Sequence, residues 1–223
     1  MDILGFLEDH LRFIERFYDK AAEPFETTKR KIHAGEEPFI PQRAPEDYNG
    51  PEYEIEWIEA DQCLSVLGSC SLALLNKALH DYLRLFIMRE AGVAEPEKLS
   101  PILKRYQGEN WFEKYCAFLT GNTPFEWARS PVSHDQIEQI NLSRNDFVHD
   151  PTMGGTWPRQ SERHFQKHPV SAFADELDLA ALVHENGKPE LPVALRVTRE
   201  NLAAHIEYVR QFCTFVEAQR TAW

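Results

Sequence analysis

The chain has 223 residues, of which 43% are hydrophobic and 12% aromatic, and a formal charge of −12. The length fits one large domain or two small ones with a sizeable core, and a charged fraction of 27% is ordinary for a soluble protein. The acidic balance excludes a general affinity for nucleic acid, because the global field repels a polyanion. Any RNA or DNA contact must come from a local basic patch.

No stretch of 18 uncharged apolar residues occurs, so the sequence predicts no membrane span. The first residues carry Asp2, Glu8 and Asp9 and lack a basic stretch followed by an apolar block, so no signal peptide is expected. The four cysteines, Cys63, Cys70, Cys116 and Cys213, include no C-x-x-C pair and read as reduced thiols of a cytoplasmic protein.

In chain order, Ile3, Phe6, Leu7, Leu11, Ile14, Phe17 and Tyr18 recur at helical spacing and predict a helix over 2–20. A second, shorter helix is expected from Phe25 to about Ala34, capped by Gly35. Residues 36–51 hold Pro38, Pro41, Pro45 and Pro51 and predict an extended connection. From Glu52 to Glu90 there is no proline and one glycine, Gly68, and an apolar stripe runs from Ile55 to Phe86. Acidic Glu52, Glu54, Glu56, Glu59 and Asp61 suit the positive end of its dipole. A helix this long needs partners along both halves and is expected to be the spine of a bundle, with Cys63 and Cys70 on its inner face.

Ser100-Pro101 predicts a short helix to about Gln107, and Asn110 opens another that Gly121 should stop. The next helix is expected from about Pro131 to His149. Ser133 and Gln136 form a capping box, and Ile137, Ile140, Phe147 and Val148 supply its core face. Residues 151–175 read as irregular. Leu179–Val183 and Leu191–Val197 flank Asn186-Gly187, which predicts a β-hairpin. Thr198 then caps a last helix with Leu202, Ile206, Val209, Phe212, Phe215 and Val216 inside. The pattern implies one domain, 1–223: an all-α, up-and-down bundle with a long central helix and a small β-hairpin inserted before the last helix.

The stretch richest in chemistry is Leu142-Ser143-Arg144-Asn145-Asp146-Phe147-Val148-His149-Asp150. Asn145 and His149 are four apart and share a helix face, and Asn141 extends that polar line. Arg144 lies about 100° further round, within reach of the same face through its long stem. An Arg fork binds an oxyanion, and a His moves a proton near neutral pH, which together suit phosphodiester chemistry. The R-x4-H spacing recurs four times, at Arg129/His134, Arg144/His149, Arg159/His164 and Arg163/His168. Only Arg144/His149 has Asn after the Arg and lies near the end of a well-marked amphipathic helix.

That run resembles the R-x4-H signature of the HEPN superfamily (higher eukaryotes and prokaryotes nucleotide-binding domain), in which the motif closes a long helix of an all-α bundle. The resemblance covers the motif and the order of long helices. It implies a metal-independent endoribonuclease of toxin–antitoxin or phage-defence type, working as a homodimer and held by a separate antitoxin or regulator. In that case His149 would act as general base or acid, Arg144 would hold the scissile phosphate, and Asn145 would orient the His or donate to phosphate. No cofactor or metal would be needed. The products would be a 2′,3′-cyclic phosphate and a 5′-hydroxyl.

Arg159, Arg163, His164, Lys167 and His168 form a local basic cluster with Trp157 and Phe165 interleaved, and Arg159, Arg163 and Lys167 are candidate RNA contacts. His164 and His168 have metal-ligand spacing on a helix, but no Cys or well-placed carboxylate adjoins them in sequence. His80, within the long helix, could face a bundle seam. The alternatives to a nuclease are a non-catalytic module binding RNA or a protein, a helix terminus whose Arg and His cap carbonyls or pair with Asp146 and Asp150, and a metal-dependent hydrolase using scattered carboxylates and His residues.

Overall fold

The computed structural model describes residues 2–41, 52–149, 158–182 and 188–220, and among them all regular structure is helical. Eight α-helices follow in order: α1 (Ile3–Ala34), α2 (Glu54–Glu90), α3 (Leu99–Leu103), α4 (Trp111–Asn122), α5 (His134–His149), α6 (Glu162–Lys167), α7 (Glu176–Leu182) and α8 (Arg199–Arg220).

α1 starts where the Asp2 carboxylate accepts from the Gly5 N–H, and ends at Gly35, whose φ of 62° places it in the left-handed region. It is one continuous helix, not the two expected. Pro24 lies inside it and removes one backbone donor, yet the helix continues through Ala34 because its inner face is packed on α2. Ile3, Leu7, Leu11, Ile14, Tyr18 and Ala22 are buried at spacings of three and four.

α2 is the spine, packing on α1 along its length and also on α4, α5 and α8. An eighteen-residue window of it is apolar enough, by length and composition, to cross a membrane, with mean hydropathy 1.3 and 44% of the window buried inside the bundle. The contact register fixes directions. Lys29 meets Asp61 near one end of the α1–α2 pair, and Ile3 and Phe6 share a crevice with Tyr82 and Leu85 at the other, so the two helices are antiparallel. α8 runs parallel to α2. Val197 lies against Gly68, the Tyr82 hydroxyl donates to the Cys213 carbonyl at 2.8 Å, and Arg89 pairs with Glu217 at 2.7 Å.

The connection between α4 and α5 is fixed by aromatic packing. Trp127 stacks on Phe212 of α8 with centroids 5.3 Å apart, and Phe125 meets Phe212 edge-on at 5.9 Å. α5 begins with the expected box, the Ser133 N–H donating to Gln136 Oε1 at 2.9 Å and the Gln136 N–H to Ser133 Oγ at 3.2 Å. α8 begins with a similar exchange between Thr198 and Asn201.

The β-hairpin is not found among the described residues. Residues 179–182 of its first arm belong to α7, because the Asp175 carboxylate accepts from the Leu177 and Asp178 N–H groups and Ala180 and Ala181 favour helix over strand. Asn186-Gly187 lies outside the described residues. The second arm pairs elsewhere, through single antiparallel bridges between Arg159 and Ala194 and between Ala174 and Leu195. The stretch expected to be irregular contains α6, which Ser161 caps. α3 starts at Leu99, one residue before the expected cap, and α4 continues through Gly121 to Asn122. Cys63 and Cys70 do share a face of α2, but it is the outer one, with Val66 and Leu74. Val148, expected on the core face of α5, is instead exposed at 52%, and Leu142 is buried beneath a groove at the end of that helix.

Gly68 shows how tightly the spine is packed. A Cβ there would lie 2.5 Å from the Val197 carbonyl oxygen, a backbone atom that cannot turn aside. Gly68→Ala should therefore destabilise the protein by about 1–3 kcal/mol despite its better helix propensity. Gly121→Ala, where a Cβ meets only a ring atom of Tyr106 at 3.8 Å, should be neutral or stabilising by up to about 1 kcal/mol. Urea unfolding of both variants checks the pair.

Candidate active-site groove

The last two turns of α5 present three kinds of side chain. Asn141 and Ser143 are buried, Arg144 and Asn145 are half-buried, and His149 is exposed. Opposite them runs the segment 158–163, which leads into α6. Between the two lies a groove of about 390 Å³, floored by Leu142 and walled by Asn145, Asp146, His149, Arg159 and Arg163. Arg144 stands outside this wall. Its guanidinium donates to Asn145 Oδ1 at 3.0 Å, and Asn145 in turn faces the groove.

Two buried carboxylates on α5 hold α6 in place. Asp146 Oδ2 is hydrogen-bonded to His164 Nδ1 at 2.6 Å, and the His164 ring is wholly buried with its Nε2 unpartnered among the described residues. Two turns earlier, Glu138 meets Lys167 Nζ at 2.8 Å and His168 Nε2 at 3.0 Å. Burial alone would raise the Glu138 pKa, but the hydrogen bonds from His168 and Lys167 outweigh it and bring the carboxyl down to about 2. The same contact with Glu138 leads the upward shift of Lys167.

All three candidate RNA contacts are already engaged. Arg159 reaches both oxygens of Asp178, at 3.2 and 3.3 Å, and the Pro192 carbonyl at 2.8 Å. Arg163 pairs with Glu109 at 2.5 Å and Glu113 at 3.5 Å. Lys167 bridges Glu113 and Glu138 and does not line the groove. Glu113 is itself pulled below its ordinary pKa, since the Glu109 N–H, Lys167 and Arg163 outweigh its burial. The structure thus brings Asn145, His149, Arg159 and Arg163 together and leaves Arg144 and Lys167 just outside. Trp157 and Asp150 lie outside the described residues.

His134, Asp135 and Glu138 also offer ligand atoms within 4.8 Å of one another on the first turn of α5. Glu138 is already held there by the Lys167 ammonium, a cation that a divalent ion would have to displace. The carboxylates expected to be missing beside His164 and His168 are Asp146 and Glu138, supplied from another helix. Sequence spacing gives no sign of that meeting beyond the three acids of α5, Asp135, Glu138 and Asp146.

Comparison with protein-family models, with curated proteins and with solved structures finds no match to this chain.

Because the Glu138 pKa is lower in the folded protein than its ordinary 4.5, its contribution to stability is present above that value and is lost as pH falls from 4.5 towards about 2. The shift corresponds to on the order of 3 kcal/mol at most. Glu138→Gln should lower stability at neutral pH and flatten the acid limb of the stability curve. Urea midpoints measured down that pH range distinguish this from a uniform loss at every pH.

Proposed function

We propose that this chain is a metal-independent endoribonuclease of HEPN type that works in the groove at the end of α5. The observation that carries the reading is the exposed His149 imidazole sharing one groove with Asn145 and two arginines, Arg159 and Arg163. His149 would take the proton of a ribose 2′-hydroxyl or give one to the leaving 5′-oxygen. Arg144, one residue from the wall and bonded to Asn145, would turn its fork to the phosphate, where bidentate donors oppose charge growing on the oxygens. Asn145 would orient the imidazole or donate to phosphate through its Nδ2, which the Arg144 contact to Oδ1 leaves available. The products would be a 2′,3′-cyclic phosphate and a 5′-hydroxyl, and DNA, lacking the 2′-hydroxyl, would resist.

The resemblance adds a cytoplasmic homodimer and a separate antitoxin or regulator to this proposal. A surface for a second copy is available on the outer side of α1 and α2, where Phe6, Phe13, Val66 and Leu74 are exposed. One observation favours a second reading, a module that binds RNA or a protein without cutting it. Arg159 and Arg163 are both paired with carboxylates, so a phosphate must compete with Asp178, Glu109 and Glu113 for them.

A structured RNA incubated with the protein in EDTA decides between them. The nuclease reading expects cleavage that persists under chelation and falls about 10²–10⁴-fold in His149→Ala, a substitution at an exposed position that should leave the helical spectrum unchanged. Arg144→Lys should recover little activity, because an ammonium cannot reproduce a bidentate fork. Binding without cleavage supports the second reading, and turnover that stops with EDTA overturns the metal-independent mechanism. Light scattering at micromolar concentration should give twice the chain mass.

A further inference from the structure

A second cleft, of about 410 Å³, opens where α2, α3 and α4 meet, and its charge is unlike that of the groove. Arg84 enters from α2, Lys104 from the C-terminal end of α3 and Lys114 from α4. Among the described residues none of these three cations has an ion-pair partner. Arg84 goes further: its Nε–H is buried and has no acceptor. A buried charged donor without an acceptor is costly, and structures rarely leave one so unless something outside the chain completes it. On a chain of net charge −12 that pairs Arg159, Arg163 and Lys167 with acids, three unpaired cations from three helices form a localised anion site.

The rest of the wall is aromatic and held rigid. His80, one turn before Arg84 on α2, meets the Tyr115 hydroxyl at 3.1 Å through Nε2 and lies edge-on to Trp111 with centroids 4.7 Å apart. Tyr115 is buried, and Trp111 is half-buried at the mouth, on the face of α4 that also carries Lys114. Acids offset the cations only in part, Asp81 acting on Arg84 through space. Glu109, the one carboxylate lining the cleft, is taken by Arg163 at 2.5 Å, and Asp81 on α2 is taken by Lys77 at 2.5 Å.

We infer that this cleft binds a 5′-phosphorylated nucleotide, with the base against Trp111 and the phosphate among Arg84, Lys104 and Lys114. A flat ring suits an indole wall, a phosphate supplies the acceptor that Arg84 lacks, and the volume is that of a small-ligand pocket. The same chemistry is offered by a free mononucleotide and by the 5′-phosphorylated end of an RNA strand. Asn110 lines both this cleft and the groove of His149, so a strand end seated here would continue towards that groove. The inference needs neither Arg144 nor His149 and stands whether or not the chain cuts RNA.

Titration calorimetry on the full chain tests it with AMP, adenosine, inorganic phosphate and two short RNAs that differ only in a 5′-phosphate. AMP should bind saturably below about 1 mM, and adenosine and phosphate each at least about tenfold more weakly. Lys104→Glu with Lys114→Glu, at positions outside the core, should weaken AMP at least about tenfold with the thermal midpoint retained, and Trp111→Phe should weaken it less. His149→Ala should leave AMP binding unchanged, so loss of cleavage and loss of this site are read separately. If only the 5′-phosphorylated RNA competes with AMP, the site takes strand ends; if neither RNA competes, it takes free nucleotides. No saturable AMP binding, binding indifferent to the charge reversal, or phosphate binding as tightly as AMP would each overturn the inference.

Discussion

The candidate groove depends on two carboxylates buried on one side of α5. Glu138 and Asp146 are eight residues apart, a little over two helical turns, and so stand about 80° apart on the broad side of the helix that meets α6. Each is under a tenth exposed, and each is met by a cationic or imidazole group of α6 or its C-cap. Removing one partner from such a pair leaves a charge in a poorly solvated place, so the arrangement is stable only when complete. α6 has six residues and little apolar surface of its own, and isolated helices of that length do not persist in water. The ionic latch and the Ser161 cap position α6, and backbone pairing of Pro158 and Gln160 with Leu195 and Val193 fixes the stretch that leads into it. Arg159 and Arg163 reach the groove only because this segment is pinned.

α5 therefore does two jobs with one sequence. Ile137, Ile140 and Leu142 are buried, the first two within the main core that α2 and α8 share, while Glu138 and Asp146 face α6. Only the last turn, with Asn145 and His149, is left over for chemistry. A helix anchored on two sides over three turns cannot easily tilt, so the groove wall it supplies is fixed, and adaptability is left to side chains such as Arg144. The hydrogen bond from Arg144 to Asn145 links two neighbouring side chains, and breaking it disturbs no core contact.

Much of the fold was legible because it follows from periodicity and capping. The spine α2, the caps at Asn110, Ser133 and Thr198, and the inner face of α8 all come from local rules. Where the reading failed, a tertiary constraint had overruled a local one. Spacing predicts two helices, over 2–20 and from Phe25 to about Ala34, but packing along α2 carries a single helix through Pro24. Asn186-Gly187 suggested a hairpin, yet an Asp175 cap and two alanines make residues 176–182 helical, and Val193 to Leu195 pair with other parts of the chain. Cys63 and Cys70 were placed inward because α2 is apolar nearly all round, and periodicity cannot say which side α1 will cover. The candidate site was half legible. The residue types on α5 were visible in the sequence, whereas the carboxylates that meet the basic cluster come from α4, α5 and α7 and could not be paired with it by spacing.

The distribution of cations then decides what the two concave sites can each do. In the groove, every arginine on the wall already has a carboxylate, so an incoming phosphate exchanges one anion for another and gains only the difference between them. Such exchange suits a site that must release its product, and it makes occupancy depend on shape and on hydrogen bonds from Asn145 and His149 more than on charge. In the cleft at α2, α3 and α4, the cations have no ion-pair partner among the described residues, so an anion gains most of the interaction and the site favours retention. The two are joined at the start of α4, where Asn110 lines both and Glu109 ties Arg163 across from one to the other. An anion bound among Arg84, Lys104 and Lys114 compensates those cations directly and leaves the Glu109–Arg163 pair intact, so filling the cleft does not require the groove to open.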